Sequence, residues 1–235
     1  MGRPALTAPD HPGADELRFD PDGAERFRGA LGPSLAALRR AVAGLPEDRA
    51  GLRITGLAAL RRFLAPEGPI GAIAAGAIGP AGRAVRAVLF DKTAATNWAL
   101  AWHQDRTIPV ARRVEVAGFG PWTVKGGLPH VAPPAALLGR MVTLRAHLDD
   151  VPATNAPLLV APGSHRCGRV PVAEVAAVVG RHGVRACLAG AGDVWLYATP
   201  ILHASEAAAV PARRRVLQVD YAAEDLPGGL EWLGV

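Results

Sequence analysis

The chain has 235 residues, long enough to bury roughly 70% of its extended-chain surface and so to fold without a disulfide or metal staple. Half of the residues are hydrophobic and 20% are charged, which excludes a disordered chain. The formal net charge is +5, yet every basic residue except Lys92 and Lys125 is an arginine, scattered in pairs such as Arg39-Arg40, Arg61-Arg62 and Arg112-Arg113. That is the signature of GC-rich codon usage. With no basic stripe and no interleaved aromatics, it speaks against a nucleic-acid partner.

In chain order, residues 1–22 are rich in Pro, Gly and Asp and read as a loose arm. Met1 to Leu6 holds no apolar core of signal-peptide type. Residues 23–67 read as a helical layer, because Leu35, Leu38, Val42 and Leu45, then Leu57, Leu60 and Leu64, recur at helical spacing. Pro33-Ser34 and Asp48 stand where helix starts belong. The uncharged run 68–82 is too short and too Gly- and Pro-rich to span a bilayer, and it is the one place for a linker if the chain holds two domains. From residue 83 the texture becomes short apolar runs broken by Gly, Pro, Asn and Asp. Strands are expected at 85–90, 98–102, 141–148, 158–161, 193–197 and 214–221, with a helical insertion at 174–180. The expectation is a single domain over 1–235, mainly β with a helical layer. Its core is a jelly roll spanning 83–222, with the N-terminal helices on its outer face. Cys167 and Cys187 form no zinc-type cluster, which leaves a reduced cytoplasm as the expected compartment, with a single disulfide as the alternative; the lack of a spanning apolar run leaves no membrane partner expected.

The sharpest local feature is Trp102-His103-Gln104-Asp105. Residues i and i+2 of an extended segment point to one side, so His103 and Asp105 present an imidazole and a carboxylate to a common point. With a second histidine they make the 2-His-1-carboxylate face of non-heme Fe(II) oxygenases. His147-Leu148-Asp149 repeats the tripeptide, and His165, His182 and His203 are the candidates for the third ligand. His203 follows a strand, and its separation from His103 leaves room for the intervening strands of a jelly roll, whereas the distance from His147 is tight. Eleven residues after His203 comes Arg214. Along that strand Arg214, Val216, Gln218 and Asp220 alternate with Arg215, Leu217, Val219 and Tyr221. The first set reads as the polar inside of a barrel and the second as a face packed on helices. A guanidinium inside the barrel suits two-pronged recognition of a carboxylate.

The runs LFDKTAATNWALAWHQD (89–105), NAPLLVAPGSHR (155–166), GDVWLYATPILHAS (192–205) and RRRVLQVDYA (213–222) resemble the phytanoyl-CoA dioxygenase family. The resemblance covers about residues 83 to 222. It implies a double-stranded β-helix of cupin-like kind and an enzyme that uses Fe(II), 2-oxoglutarate and O2. By this resemblance His103, Asp105 and His203 are the metal ligands and the catalytic residues, and Arg214, helped by Ser205, holds the distal carboxylate of 2-oxoglutarate. The family implies oxidation of a small-molecule substrate, with release of succinate and CO2. The carboxylate at 105, where related halogenases carry a small residue, implies hydroxylation of a C–H bond.

Further residues are expected around this centre from the strand faces. Arg86 and Lys92 alternate with Val88 and Phe90 and reach the barrel mouth or a solvated edge. Asn97 bonds a co-substrate oxygen or caps a turn. Thr143, Arg145, His147 and Asp149 share a face that walls a pocket for substrate or co-substrate, or is merely polar. Trp122 and Lys125, in a loop near the iron, are expected to meet substrate. Two other function classes stay open on these residues: a jelly-roll binding or regulatory protein without turnover, and a metal-dependent isomerase or lyase that needs no 2-oxoglutarate. An inward-facing Arg214 is what separates them from the oxygenase. The oligomeric state is left open.

Overall fold

The computed structural model describes residues 11–47 and 51–235; Met1 to Leu6 and the helix start at Asp48 lie outside them. The described residues form thirteen strands: β1 (Ala24–Phe27), β2 (Gly51–Ile54), β3 (Arg83–Lys92), β4 (Leu100–His103), β5 (Ile108–Pro109), β6 (Trp122–Lys125), β7 (Leu128–Val131), β8 (Val142–His147), β9 (Leu158–Val160), β10 (Arg185–Cys187), β11 (Val194–Ala198), β12 (His203–Ser205) and β13 (Arg214–Ala222). The α-helices are α1 (Phe19–Asp22), α2 (Leu35–Val42), α3 (Arg61–Leu64), α4 (Gly71–Ile78), α5 (Ala135–Gly139) and α6 (Val175–His182).

An antiparallel sheet in the order β1-β11-β8-β13-β3-β2 is joined by a smaller one, β10-β9-β12-β4, and a third of β5-β7-β6. The period-2 alternation of the large sheet separates its two faces. Outward go Ala87, Leu89, Leu144, Ala146, Leu196, Leu217, Val219 and Tyr221, into one core with Leu38, Val42, Leu60, Phe63, Leu64, Ile70 and Ala74 of the helical layer. The buried Tyr221 hydroxyl donates to the Leu64 carbonyl at 3.1 Å, tying sheet to helix. Inward, Trp195 and Tyr197 of β11 meet Leu158 and Val160 of β9, so the two larger sheets close on each other. This is the jelly roll that the alternating runs called for.

Three expectations are corrected. The layer 23–67 is not purely helical: β1 and β2 interrupt it and form the two edges of the large sheet. Both are short, and their pairing with β11 and β3 supplies what their own sequence does not signal. Residues 11–22 are not a loose arm, since Ala14 and Leu17 are buried and Gly13 bridges Ala186. The run 68–82 carries α4 and not a linker. Gly71 serves close packing there, because a Cβ would lie 1.9 Å from the Ala65 carbonyl oxygen. No helix among the described residues is long and apolar enough to cross a membrane.

Candidate active site

Pairing of β4 with β12 puts His103 directly opposite His203, with ring centroids 4.3 Å apart. One ligand atom from each of His103, Asp105 and His203 can be chosen so that all lie within 4.8 Å of one another, the only such grouping among the described residues. Each imidazole is oriented in the same way. His103 Nδ1–H donates to the Ala101 carbonyl (2.7 Å) and His203 Nδ1–H to the Ile201 carbonyl (2.9 Å). A hydrogen bond at Nδ1 fixes the tautomer and leaves the Nε2 lone pair for a cation. Burial brings His203 down to about 4, so at neutral pH its imidazole is unprotonated, the form in which Nε2 can take a cation. Burial works to raise Asp105, but Arg86 and the two histidines outweigh it and hold the carboxylate below its usual range. Two imidazoles and one anionic carboxylate on one face fit a six-coordinate Fe(II) with open positions.

The inner face of the large sheet is read most directly as cross-strand rows. Arg86 of β3 stands opposite Asp220 of β13, which stands opposite Thr143 of β8. Val88, Gln218 and Arg145 form the next row, Phe90, Val216 and His147 the third, and Lys92 with Arg214 the last. A cavity of about 140 Å³ runs along these rows from the ligand triad to Lys92 and Arg214.

At its far end Lys92, Arg145 and Arg214 converge, with no carboxylate paired to any of them among the described residues. Arg214 donates from Nη1 to the Ala156 carbonyl, and its Nε is buried without a partner, as is that of Arg145. Burial, then the neighbouring Arg145, brings Arg214 down to about 9. Lys92 donates to the Trp98 carbonyl at 2.7 Å and to Ser205 Oγ at 3.3 Å. Burial, then Arg214 and Arg145, brings it down to about 7. Buried cations without counter-charges are costly. The cavity beside them is therefore complementary to an anion, as the remote carboxylate of a dicarboxylic acid would be.

Arg213 and Arg215 point away: Arg213 pairs with Glu47 and Asp91, and Arg215 with Asp149. The register that puts Arg214 inside is thus locked on both sides by ion pairs. The other expected residues fall as follows. Arg145 walls this pocket, one of the two settings its strand face allowed, with Nη1 held by Gln218 Oε1 at 3.1 Å. Arg86 is engaged by Asp220 (2.8 Å) and lies 3.8 Å from Asp105, so it stands at the His103–Asp105–His203 end of the cavity and not at the Lys92–Arg214 end. Thr143 donates to Asp220 and meets Thr199, which takes it out of the cavity wall. Asn97 ties two loops by bonding the amide and carbonyl of Ala208. Trp122 packs on the third sheet's core and bonds Glu115, lining no part of that cavity. Lys125 donates to Thr107 Oγ1 at 2.8 Å, near enough to Asp105 to feel its charge. His147 is buried with both ring nitrogens unpartnered, while Asp149 lies beyond the strand end with Arg215.

Gln104 was missed. It stands between His103 and Asp105, so its side chain points the opposite way, and there it is buried. Its Nε2 donates to the Gly168 and Pro200 carbonyls, both at 2.8 Å, and its Oε1 accepts from Val170 N–H at 2.9 Å. This one amide clamps the segment bearing His103 and Asp105 to the loop that leads into His203. Strand alternation, which put His103 and Asp105 together, was the signal that could have found it.

The sequence profile of the phytanoyl-CoA dioxygenase family (PhyH) matches residues 81–216. The chain belongs to that family. It is accordingly a 2-oxoglutarate-dependent non-heme iron dioxygenase, with Fe(II), 2-oxoglutarate and O2 as its reagents. Solved structures share the fold. EctD from S. alaskensis is 18% identical with a TM-score of 0.63, covering 99% of this chain and 87% of that one. AviO1 from Streptomyces viridochromogenes Tue57 is 23% identical with a TM-score of 0.61, covering 90% and 94%. HygX from Streptomyces hygroscopicus, solved with nickel and 2-oxoglutarate bound, is 15% identical with a TM-score of 0.59, covering 87% and 84%. None of the curated proteins matches the chain.

Proposed function

We propose that His103, Asp105 and His203 hold the catalytic Fe(II) and that Arg214, flanked by Lys92, Arg145 and Ser205, holds the distal carboxylate of 2-oxoglutarate, for hydroxylation of a C–H bond in a small molecule. The observation that carries this reading is the juxtaposition of a 2-His-1-carboxylate triad with three unpaired buried cations at opposite ends of one 140 Å³ cavity. An isomerase or a mere metal-binding jelly roll gives no reason to bury that charge. When bound, the iron supplies O2 activation coupled to decarboxylation of 2-oxoglutarate to succinate and CO2.

The chain's own residues do the rest. The Ala101 and Ile201 carbonyls aim the two imidazoles. Arg86, itself anchored by Asp220, stands 3.8 Å from Oδ2 of Asp105 and favours its ionised form. Gln104 keeps the ligand-bearing segments in register. Arg214 offers two parallel charge-assisted hydrogen bonds, a fork that an ammonium cannot copy. Asp105 fills the position that a halide would need, which supports hydroxylation.

The same reading takes the chain as one domain, because helical layer and large sheet share a single core. It places the protein in the cytoplasm, which the two unpaired cysteines support, and it involves no nucleic-acid or membrane partner. The test is anaerobic titration of the Fe(II) protein with 2-oxoglutarate, followed by its weak charge-transfer absorbance. Saturable appearance of that band in the wild type, and its loss in His103→Ala, is the expected result. Its absence from the wild type overturns the reading.

A further inference from the structure

A second cavity, of about 210 Å³, lies against the Gln104-Asp105-Arg106 segment, and Asp105 lines both it and the pocket already described. A molecule in it would therefore be adjacent to a proposed metal ligand. Its walls are of two kinds. Pro133, Pro134, Leu138 and Pro200 give it a compact apolar body. Its cationic groups are Arg106 and Arg169, and among the described residues Asp105 is the sole carboxylate lining it. Arg169 is exposed and makes no hydrogen bond or ion pair among the described residues. Arg106 spends one amino group on the Val170 carbonyl. His165 also lines it, but its Nδ1 is packed against Gly23 and burial lowers its pKa, so it adds no charge. A chamber with an apolar floor and two guanidiniums is complementary to an acid.

We propose that this second cavity is the substrate chamber and that it takes a small free organic acid, its apolar body on the proline and leucine wall and its carboxylate or phosphate at Arg169 and Arg106. The proposal rests on the dioxygenase reading above. It deepens it by naming the substrate class, a compact anion. The two guanidiniums orient the substrate by its charged end, and the apolar wall excludes water from the part that faces Asp105.

The test uses the intact protein loaded with Mn(II) and saturated with 2-oxoglutarate, so that the co-substrate pocket is filled. Paramagnetic broadening of the protons of hexanoate, hexyl phosphate and hexanamide is then measured. Saturable broadening of one or both anions, at least tenfold tighter than that of hexanamide, is expected. Hexanoate and hexyl phosphate tell a carboxylate from a phosphate preference. Arg169→Glu, at an exposed position, is expected to weaken anion binding tenfold or more while leaving 2-oxoglutarate binding and the melting temperature unchanged. Arg169→Gln should fall between the two. Absence of anion broadening, equal binding of hexanamide, or wild-type binding in Arg169→Glu each overturns the proposal. If 2-oxoglutarate itself fails to bind, the dioxygenase reading falls. The preference for anion over amide, and its dependence on Arg169, then still decides what the chamber takes.

Discussion

The two faces of the six-stranded sheet are built from the same strands and do opposite things. On β13, Leu217, Val219 and Tyr221 go outward into a continuous apolar core, while Arg214, Gln218 and Asp220, one residue out of phase, go inward into a cavity that holds unpaired charge. The outer face stabilises the fold through burial, roughly 25 cal/mol for each Å² of apolar surface removed from water. The inner face costs stability, since Lys92, Arg145 and Arg214 repel one another in a desolvated space. A strand period of two lets one segment serve both ends, and it makes register the property on which function depends.

The largest effect should come from the inner face at the metal end. His103→Ala removes a half-buried member of the proposed metal triad and should abolish both metal binding, by calorimetric titration, and succinate release, with the metal-free protein still melting cooperatively. Loss of folding in that variant would mean that the two faces are not separable. Next comes the far end of the same cavity. Arg214→Ala should weaken 2-oxoglutarate binding by roughly 30- to several-thousand-fold, the equivalent of about 2–5 kcal/mol for a desolvated charge-assisted clamp. Arg213→Ala and Arg215→Ala should bind as the wild type does, because their partners are Asp91, Glu47 and Asp149. Normal binding by Arg214→Ala would move the carboxylate to Arg145.

The outer face should respond in the opposite manner. Leu217→Ala, at a fully buried position, should lower unfolding free energy by roughly 2–4 kcal/mol in denaturant titration. The affinity of the folded fraction for 2-oxoglutarate should stay unchanged. A parallel fall in affinity would show that the outer core sets the geometry of the inner one, and the contrast between faces would then be one of degree.

What the sequence made legible follows the same division. Alternation along 214–221 and the spacing of Leu35, Leu38 and Val42 were enough to place helices outside and Arg214 inside, since both signals are periodic and local. Joining His103, Asp105 and His203 needed the ordered set of motifs as well, because their meeting depends on β4 pairing with β12. Residues whose partners come from remote elements were not legible. Asn97 bonds Ala208, Thr143 bonds Asp220, and Arg145 faces Phe90 and Gln218. No local pattern encodes those meetings. The edge strands β1 and β2 were missed for the same reason, being four residues each and held by pairing and not by their own propensity.

The smallest expected effect is also the one that tests the inner face's stored charge most directly. Lys92 has no carboxylate partner among the described residues; it meets the Trp98 and Glu206 carbonyls and Ser205 Oγ, and lies 4.4 Å from the Trp98 ring centroid. Burial, then Arg214 and Arg145, lowers it to about 7 from the ordinary lysine value of 10.5. Only the ammonium form attracts a carboxylate, and that form prevails below about 7. Affinity for 2-oxoglutarate should therefore be highest below that value and decline as pH rises above it, by at most about tenfold per pH unit, the limit for one linked proton. His203, at about 4, stays neutral across this window and contributes no slope. For stability the sign is the reverse. A lysine depressed in the fold penalises it fully below about 7, and the penalty fades as pH climbs toward the unfolded value. Lys92→Met should thus raise the melting temperature of the metal-free protein, most below pH 7, while weakening 2-oxoglutarate binding there and flattening its pH dependence. A slope in Lys92→Met equal to that of the wild type would assign the proton to another group and leave Lys92 as a neutral spacer.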